Sequence, residues 1–164
     1  MSHPLVAEAA KKAVIAWLTV PGGADGVLVW CLWIDSALYV VTGTGEQLVP
    51  GLAEATEATV SLRGDHGGRI VTWLAHVRRV RPDTPEWTSA APQLAGKRLN
   101  ATGSAERLVQ RWATQCALLA LIPREGPVRA GAELPAGSLA EPPRPSTAAR
   151  PARRPFRLHR VRRR

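Results

Sequence analysis

The sequence lacks the features of several protein classes. No apolar run approaches the ~18 residues that a membrane-spanning helix needs. Val27–Ile34 is apolar, but it is too short to span a bilayer and Asp35 follows it directly. Met1–Lys12 has no basic segment leading into an apolar one, which is the pattern of a secretory signal. We therefore expect a cytoplasmic protein that does not enter a membrane.

Cysteine is scarce, with only Cys31 and Cys116 in 164 residues. Both stand among apolar neighbours and far apart in sequence, which predicts two buried thiols in a reducing cytoplasm. A disulfide between them is left open. No Cys/His pair has the spacing of a metal site, and Ser, His and Asp follow no recognisable catalytic order. We therefore expect no bound metal.

Positive charge is scarce in most of the chain and concentrated at its end. Residues 1–140 hold 13 Lys+Arg and 12 Asp+Glu, whereas residues 141–164 hold 9 Arg and one Glu. The net charge of +9 therefore belongs to the end of the chain. This distribution excludes a basic nucleic-acid-binding domain as the interpretation of the folded part.

The composition changes from Arg124 onward, where 7 of the 14 prolines lie and where Trp, Tyr, Cys and Ile are missing. Such a segment buries too little apolar surface to offset its ordering entropy. We predict a domain over residues 1–123 and a disordered Pro/Ala/Arg-rich basic tail over residues 124–164. The stretch from Arg150 through Arg164 has two interpretations: salt-sensitive association with nucleic acid, or a solvated tail without a partner. Phe156 is its only aromatic residue, so base stacking would be poor and we favour the second.

Residue patterns predict short elements joined by short connections. Amphipathic spacing and capping residues favour four helices: Leu5–Lys12, a short one within Glu46–Thr56, Pro85 to about Leu94 or beyond, and Ala105–Gln115. Runs of β-branched and aromatic residues favour six strands: Ala13–Val20, Val27–Ile34, Leu38–Thr42, Ala58–Arg63, Arg69–Arg81 and Cys116–Ile122. A continuing helix is the alternative for Ala13–Val20, and Val27–Ile34 is predicted to be buried on both sides. The strands follow one another as hairpins and do not alternate with helices as in βαβ units. We therefore predict an α+β domain built on a small antiparallel β-barrel.

The loop Thr42–Gln47 has the most suggestive composition. It reads Thr-Gly-Thr-Gly-Glu-Gln, leaves a predicted strand and enters a predicted helix. Glycines allow a close approach of the backbone, and hydroxyls together with a helix N-terminus favour an anion such as phosphate. The alternative is an ordinary Gly-rich turn. Neither the Walker spacing nor the dinucleotide fingerprint is present.

The order of these segments is similar to that of a known family. Four consecutive segments carry the similarity: Val29–Ile34, Ala37–Thr42, the predicted short helix near Gly51-Leu52, and Ala58–Leu62. In this order they resemble the FMN-binding split β-barrel, the pyridoxamine 5′-phosphate oxidase-like proteins. The resemblance covers about residues 5–123. It implies a split-barrel homodimer with two flavin sites at the subunit interface. It also implies that hydride chemistry on a small molecule belongs to the cofactor.

The resemblance also implies a set of cofactor-binding residues. Thr42 matches the family's hydroxyl at the strand end and Thr44 falls in its phosphate loop. The family often has Ser-Arg-Lys in this loop, whereas this chain has uncharged Gln47 as the nearest counterpart and Glu46, which would repel a phosphate unless it points away. The remaining candidates for the positive charge are Arg63, Arg69, Lys97 and Arg98. The expected cofactor-binding residues are Thr42, Gly43, Thr44, Gln47, Trp73 and Arg98.

Trp73 is included as a ring-stacking neighbour of a ligand, whereas the other five tryptophans are expected in the core or at a dimer interface. The leading expectation is thus an FMN-dependent oxidoreductase acting on a small molecule. One alternative is a non-enzymatic split-barrel dimer that has lost FMN or binds deazaflavin or haem. The other alternative is nucleic-acid association through the Arg-rich tail.

Overall fold

The computed structural model describes residues 3–63, 69–98, 101 and 103–131. In these residues the chain forms three helices: α1 (Pro4–Lys12), α2 (Pro85–Lys97) and α3 (Ala105–Gln115). It also forms seven strands: β1 (Ile15–Thr19), β2 (Val27–Ile34), β3 (Ala37–Gly43), β4 (Glu57–Arg63), β5 (Arg69–Val80), β6 (Cys116–Pro123) and β7 (Arg129–Ala130). The segment predicted as Ala13–Val20 is therefore a strand rather than a continuing helix.

Six of the strands close into an antiparallel barrel. They follow the order β4-β1-β2-β3-β6-β5, and the pairing of β4 with β5 completes the ring. The short strand β7 extends the sheet beside β5. The prediction of an α+β protein built on a small antiparallel split β-barrel is confirmed.

Local sequence explains the hairpin between β2 and β3. Ile34 pairs with Ala37, so only Asp35 and Ser36 connect the strands. Both have positive φ angles, 44° and 70°, as a two-residue turn needs to match the twist of its strands. Asp and Ser tolerate this conformation because their short polar side chains can bond locally. The hairpin between β4 and β5 is also confirmed, although its turn, residues 64–68, lies outside the described residues.

Alternation along each strand sends one set of side chains into the barrel. Val40 of β3, Val60 of β4, Trp73 of β5 and Leu119 of β6 belong to this interior core. The helix α1 adds Val6 and Ala10 to it. Burying each such side chain contributes about 1.5–3 kcal/mol, so the interior supplies much of the driving force for closing the barrel.

A second apolar layer lies outside the barrel, beneath α2 and α3. The outward-facing Tyr39, Val41 and Leu118 of β3 and β6 pack there against residues of both helices, including Trp87 and Trp112. The start of α2 is fixed by Thr84, whose hydroxyl accepts a hydrogen bond from the Trp87 N–H. The helix continues through Pro92 to Lys97 without splitting. These helices cover one side of the barrel wall.

Two local predictions are wrong. Glu46–Thr56 forms turns rather than a helix, because the Val49 N–H bonds to the Thr42 hydroxyl and Gly51 takes a φ of 80°. The strand β2 is not buried on both sides. Only Val29 and Cys31 are buried on it, and Leu28 is 41% exposed.

The described chain continues past Pro123, where the barrel domain was predicted to end. Residues Arg129–Ala130 pair with β5, and the Arg124 guanidinium donates a hydrogen bond to Glu57 on β4. The rest of the predicted tail, residues 132–164, lies outside the described residues. None of the helices that the structure describes is long and apolar enough to cross a membrane.

Candidate functional site

A cavity of about 370 Å³ opens where β3 ends and β6 begins. Antiparallel pairing brings its central residues together, because Thr42 lies opposite Ala117 and Gly43 lies opposite Cys116. Arg79, near the end of β5, also lines it. The remaining lining residues come from the turns after β3 and from the end of α3: Leu48, Val49, Pro50, Gly51, Ala53, Glu54, Thr114 and Gln115.

Thr42 holds the wall of the cavity in place. Its buried hydroxyl oxygen accepts a hydrogen bond of 2.9 Å from the Val49 N–H. This contact fixes the turn that carries Leu48 and Pro50 against the end of β3. An apolar wall therefore stands beside a strand end, and Leu48 is 68% exposed on it.

The charged groups of the cavity are Arg79 and Glu54, and both are exposed. Within the part of the chain that the structure describes, Arg79 forms no ion pair. The thiol of Cys116 also lines the cavity, and its pKa is raised mainly by burial and further by the negative charge of Glu46. Cys116 is therefore held as a neutral thiol rather than a nucleophilic thiolate. Burial raises the pKa of the Cys31 thiol to about 12, and both cysteines are free.

The two glycines of the Thr42–Gln47 loop are explained by contacts within the chain. Gly43 has a φ of 142°, and a Cβ there would lie 2.7 Å from the Cys116 Cα. Gly45 has a φ of 77°, and a Cβ there would lie 2.9 Å from a terminal nitrogen of Arg111. Gly43 needs glycine because the backbone of Cys116 packs closely against it, whereas Gly45 needs it for its left-handed backbone conformation.

Glu46 points from this loop toward the helices. Its side chain is only 2% exposed, and three donors meet its two oxygens. Arg98 Nε lies 2.7 Å from one oxygen, whereas Arg111 Nη2 at 2.5 Å and Trp112 Nε1 at 3.0 Å share the other. The Arg98 guanidinium also lies over the Trp30 ring, 5.6 Å from its centroid. We call this group the Glu46 cluster.

The structure separates the residues that the sequence grouped as a cofactor site. Thr42 and Gly43 line the cavity, whereas Thr44 and Gln47 lie on the loop outside its lining. Trp73 is 2% exposed inside the barrel core. Arg98 is bound to Glu46. Among the residues not singled out, Arg79 is the arginine of the described cavity lining, and Arg111 and Trp112 complete the Glu46 cluster.

On the outer face of β1 and β2, Leu32 and Ile34 pack against the helical layer, whereas Leu28 is 41% exposed and Ile15, Trp17 and Trp30 are half-buried. Ile15 lies opposite Trp30, and Trp17 lies opposite Leu28, so four apolar side chains form one patch. The Arg63 guanidinium lies 4.9 Å from the centroid of the Trp17 ring. We call these residues the β1–β2 face. Contiguous exposed apolar patches of this kind mark interaction sites.

Comparisons with known proteins support the fold only. No protein-family model matches the chain, and no curated protein matches it in sequence. The heme storage protein HutZ from Vibrio cholerae is similar in structure, with a TM-score of 0.53 and 14% identity over 78% of this chain and 93% of that chain. The conserved hypothetical protein Rv2991 from Mycobacterium tuberculosis is also similar in structure, with a TM-score of 0.55 and 17% identity over 86% of this chain and 93% of that chain. These likenesses therefore show the split β-barrel fold of the chain and no more.

Proposed function

We propose that this chain binds FMN in the cavity at the end of β3 and acts as an oxidoreductase on a small molecule. The observation that supports this most is the cavity itself. Its volume of about 370 Å³ falls in the range of ~300–1,000 Å³ for ligand pockets. Its lining joins apolar side chains to polar ones that can fix the orientation of a ligand: Thr42, Glu54, Arg79, Thr114 and Gln115.

The residues present fit the two chemical parts of FMN. The exposed side chains of Leu48 and Pro50 would cover one face of a planar ring, and the Arg79 guanidinium would neutralise a phosphate. A flavin bound there supplies reversible hydride transfer. Thr42 would contribute by holding the wall in position through Val49. Glu54 is the acidic residue among the described lining residues, and it disfavours a phosphate on its own side of the cavity.

Haem is supported less well by the same residues. A haem iron needs a histidine, a thiolate or a similar axial ligand. None of the described lining residues is a histidine, and Cys116 is held as a neutral thiol. The heme storage described for HutZ is therefore a weaker guide to this chain than flavin binding.

The first experiment is an absorbance spectrum of the purified protein followed by titration with FMN and with riboflavin. We expect a flavin spectrum or stoichiometric FMN binding. Arg79→Ala should weaken FMN binding by about 10- to 100-fold, the loss of one charge-assisted contact, and should leave riboflavin binding unchanged. Arg81→Ala, which removes an exposed arginine two residues away, is the matched control. A colourless protein that ignores both flavins would contradict the proposal, and deazaflavin would be titrated next.

We also propose that the chain is a homodimer and that the β1–β2 face is its contact surface. Two tryptophans, an isoleucine and a leucine side by side would bury substantial apolar area against a second copy. The cation–π contacts of Arg63 and Arg98 hold the two tryptophan rings in place. The barrel interior and the helix-covered side are already packed, so a partner would have to use another face, such as this one.

The dimer is tested by light scattering of the full chain at micromolar concentration. Wild type is expected to have twice the mass of the 17.6 kDa chain, and Leu28→Glu is expected to be monomeric. Leu48→Glu changes the other exposed leucine, on the cavity wall, and should remain dimeric while losing FMN affinity. A monomeric wild type, or a dimeric Leu28→Glu, would contradict this contact surface.

A further inference from the structure

The Glu46 cluster has an unusual arrangement for a surface loop. A carboxylate that follows two exposed loop residues, Thr44 and Gly45, is turned inward and almost completely buried. Its three donors all come from the helical segment: Arg98 caps α2, and Arg111 and Trp112 are consecutive on α3. The positions of the donors are therefore set by the helices, while the acceptor is supplied by the loop.

The donors have the composition of an oxyanion site. Two guanidinium groups and an indole N–H converge on one small anion, and guanidinium groups match planar or tetrahedral oxyanions well. The cluster also has spare donor capacity, because Arg111 Nε is buried without a hydrogen-bond partner. A tetrahedral anion has more acceptor oxygens than a carboxylate and could use that donor.

The cluster brings two guanidinium groups to one carboxylate. Two arginines face one carboxylate, with side-chain exposures of 15% for Arg98 and 33% for Arg111. Without the carboxylate, two like charges would be left close together and partly desolvated, which is costly. An anion from solution would relieve that cost in the same way as Glu46 does.

We infer that Arg98, Arg111 and Trp112 form an oxyanion-binding site that the chain fills with its own Glu46, which thereby excludes external phosphate from the Thr42–Gln47 loop. Glu46 is then a specificity-determining residue. Because Glu46 already occupies Arg98 and Arg111, the Thr42–Gln47 loop has no positive charge available for the phosphate of a ligand. This inference stands independently of FMN binding in the cavity, which uses Arg79.

The test replaces the internal anion by one from solution. Glu46→Ala in the full chain is expected to lower the thermal midpoint by about 6–20 °C in NaCl, since it removes the buried carboxylate that Arg98, Arg111 and Trp112 share. Inorganic phosphate at 50 mM should then raise the midpoint of Glu46→Ala by about 5 °C or more above NaCl of equal ionic strength. Wild type should show no such difference between the two salts, because its site is filled.

Two further variants separate a binding site from a merely structural contact. Glu46→Gln fills the space with an uncharged amide, so phosphate should give it little recovery. Glu46→Ala combined with Arg111→Ala removes a donor, and the recovery should be lost. If Glu46→Ala is unfolded in NaCl, the same titration is followed as recovery of far-ultraviolet circular dichroism. A Glu46→Ala variant that phosphate stabilises no better than NaCl, or that recovers equally well without Arg111, overturns the inference.

Discussion

Two glutamates join the helical layer to the barrel in opposite ways. Glu46 belongs to a barrel loop and accepts hydrogen bonds from helix residues. Glu86 belongs to the first turn of α2 and accepts hydrogen bonds from barrel residues: two from Arg78, at 2.6 and 2.7 Å, and one of 2.6 Å from the Tyr39 hydroxyl. Each carboxylate therefore has three donors, but the Glu46 side chain is 2% exposed and that of Glu86 is 29% exposed.

This difference in burial separates what the two contacts do. Water and salt screen a partly exposed pair such as Arg78–Glu86, so its net contribution is small even with good geometry. A buried carboxylate has no such screening, and its removal leaves its partners without compensation. The same number of hydrogen bonds is therefore expected to stabilise the fold very differently at the two ends of the helical layer.

The largest expected effect tests this comparison directly. Glu46→Gln should lower the free energy of unfolding by about 3 kcal/mol or more, since it places an uncharged amide where a buried carboxylate meets the partly buried Arg98 and Arg111. Glu86→Gln should lower it by about 1 kcal/mol, because water reaches its partners. Urea unfolding of the two variants at neutral pH measures both losses.

Salt sharpens the same comparison. At about 1 M NaCl the screening length falls to about 3 Å, so the loss caused by Glu86→Gln should shrink while that caused by Glu46→Gln should persist. Equal losses in the two variants, or an equal response to salt, would show that burial does not separate the two contacts.

The barrel could be predicted from the sequence because its signals are local. Alternating apolar residues and turn pairs such as Asp35-Ser36 indicate strands and hairpins within a few residues of each other. The helix starts at Thr84 and Ser104 are local as well, since each hydroxyl caps an N–H three residues later. The error at Glu46–Thr56 has the opposite origin. Its helix-favouring residues are overruled by a hydrogen bond from Val49 to Thr42 across the loop.

The candidate site was less accessible to sequence reasoning because its contacts are distant along the chain. Glu46 meets Arg98 and Arg111, which lie on or beside helices that follow two later strands. No periodicity encodes how α2 and α3 dock on the barrel wall. A single carboxylate in a loop otherwise free of charge was the available signal, since it needs a cation when buried. Arg79 was missed for a similar reason: it joins the cavity only through the pairing of β5 with β6.

The smallest expected effect concerns pH and the Glu86 contact. The hydrogen bonds from Arg78 hold the pKa of the Glu86 carboxyl below its ordinary value, and the Tyr39 hydroxyl lowers it further. Because the pKa of the folded state is depressed, this contact stabilises the fold fully above the unfolded pKa of about 4.3 and is lost as pH falls through the folded value. The stability difference between wild type and Glu86→Gln should therefore be constant from pH 7 to about 5 and should decline toward pH 3.

Urea midpoints between pH 3 and pH 7 measure this decline. The Ser104 hydroxyl also lowers the pKa of Glu106. Because Glu106 is present in wild type and in Glu86→Gln alike, its contribution cancels in the stability difference between them. Tyr39→Phe removes one of the contacts that depress the Glu86 pKa, so in that background the decline should begin at the same pH, be smaller and end at higher pH. A difference that stays constant down to pH 3 would mean that the Glu86 carboxylate interacts no more favourably in the folded chain than in the unfolded one, despite its three short hydrogen bonds.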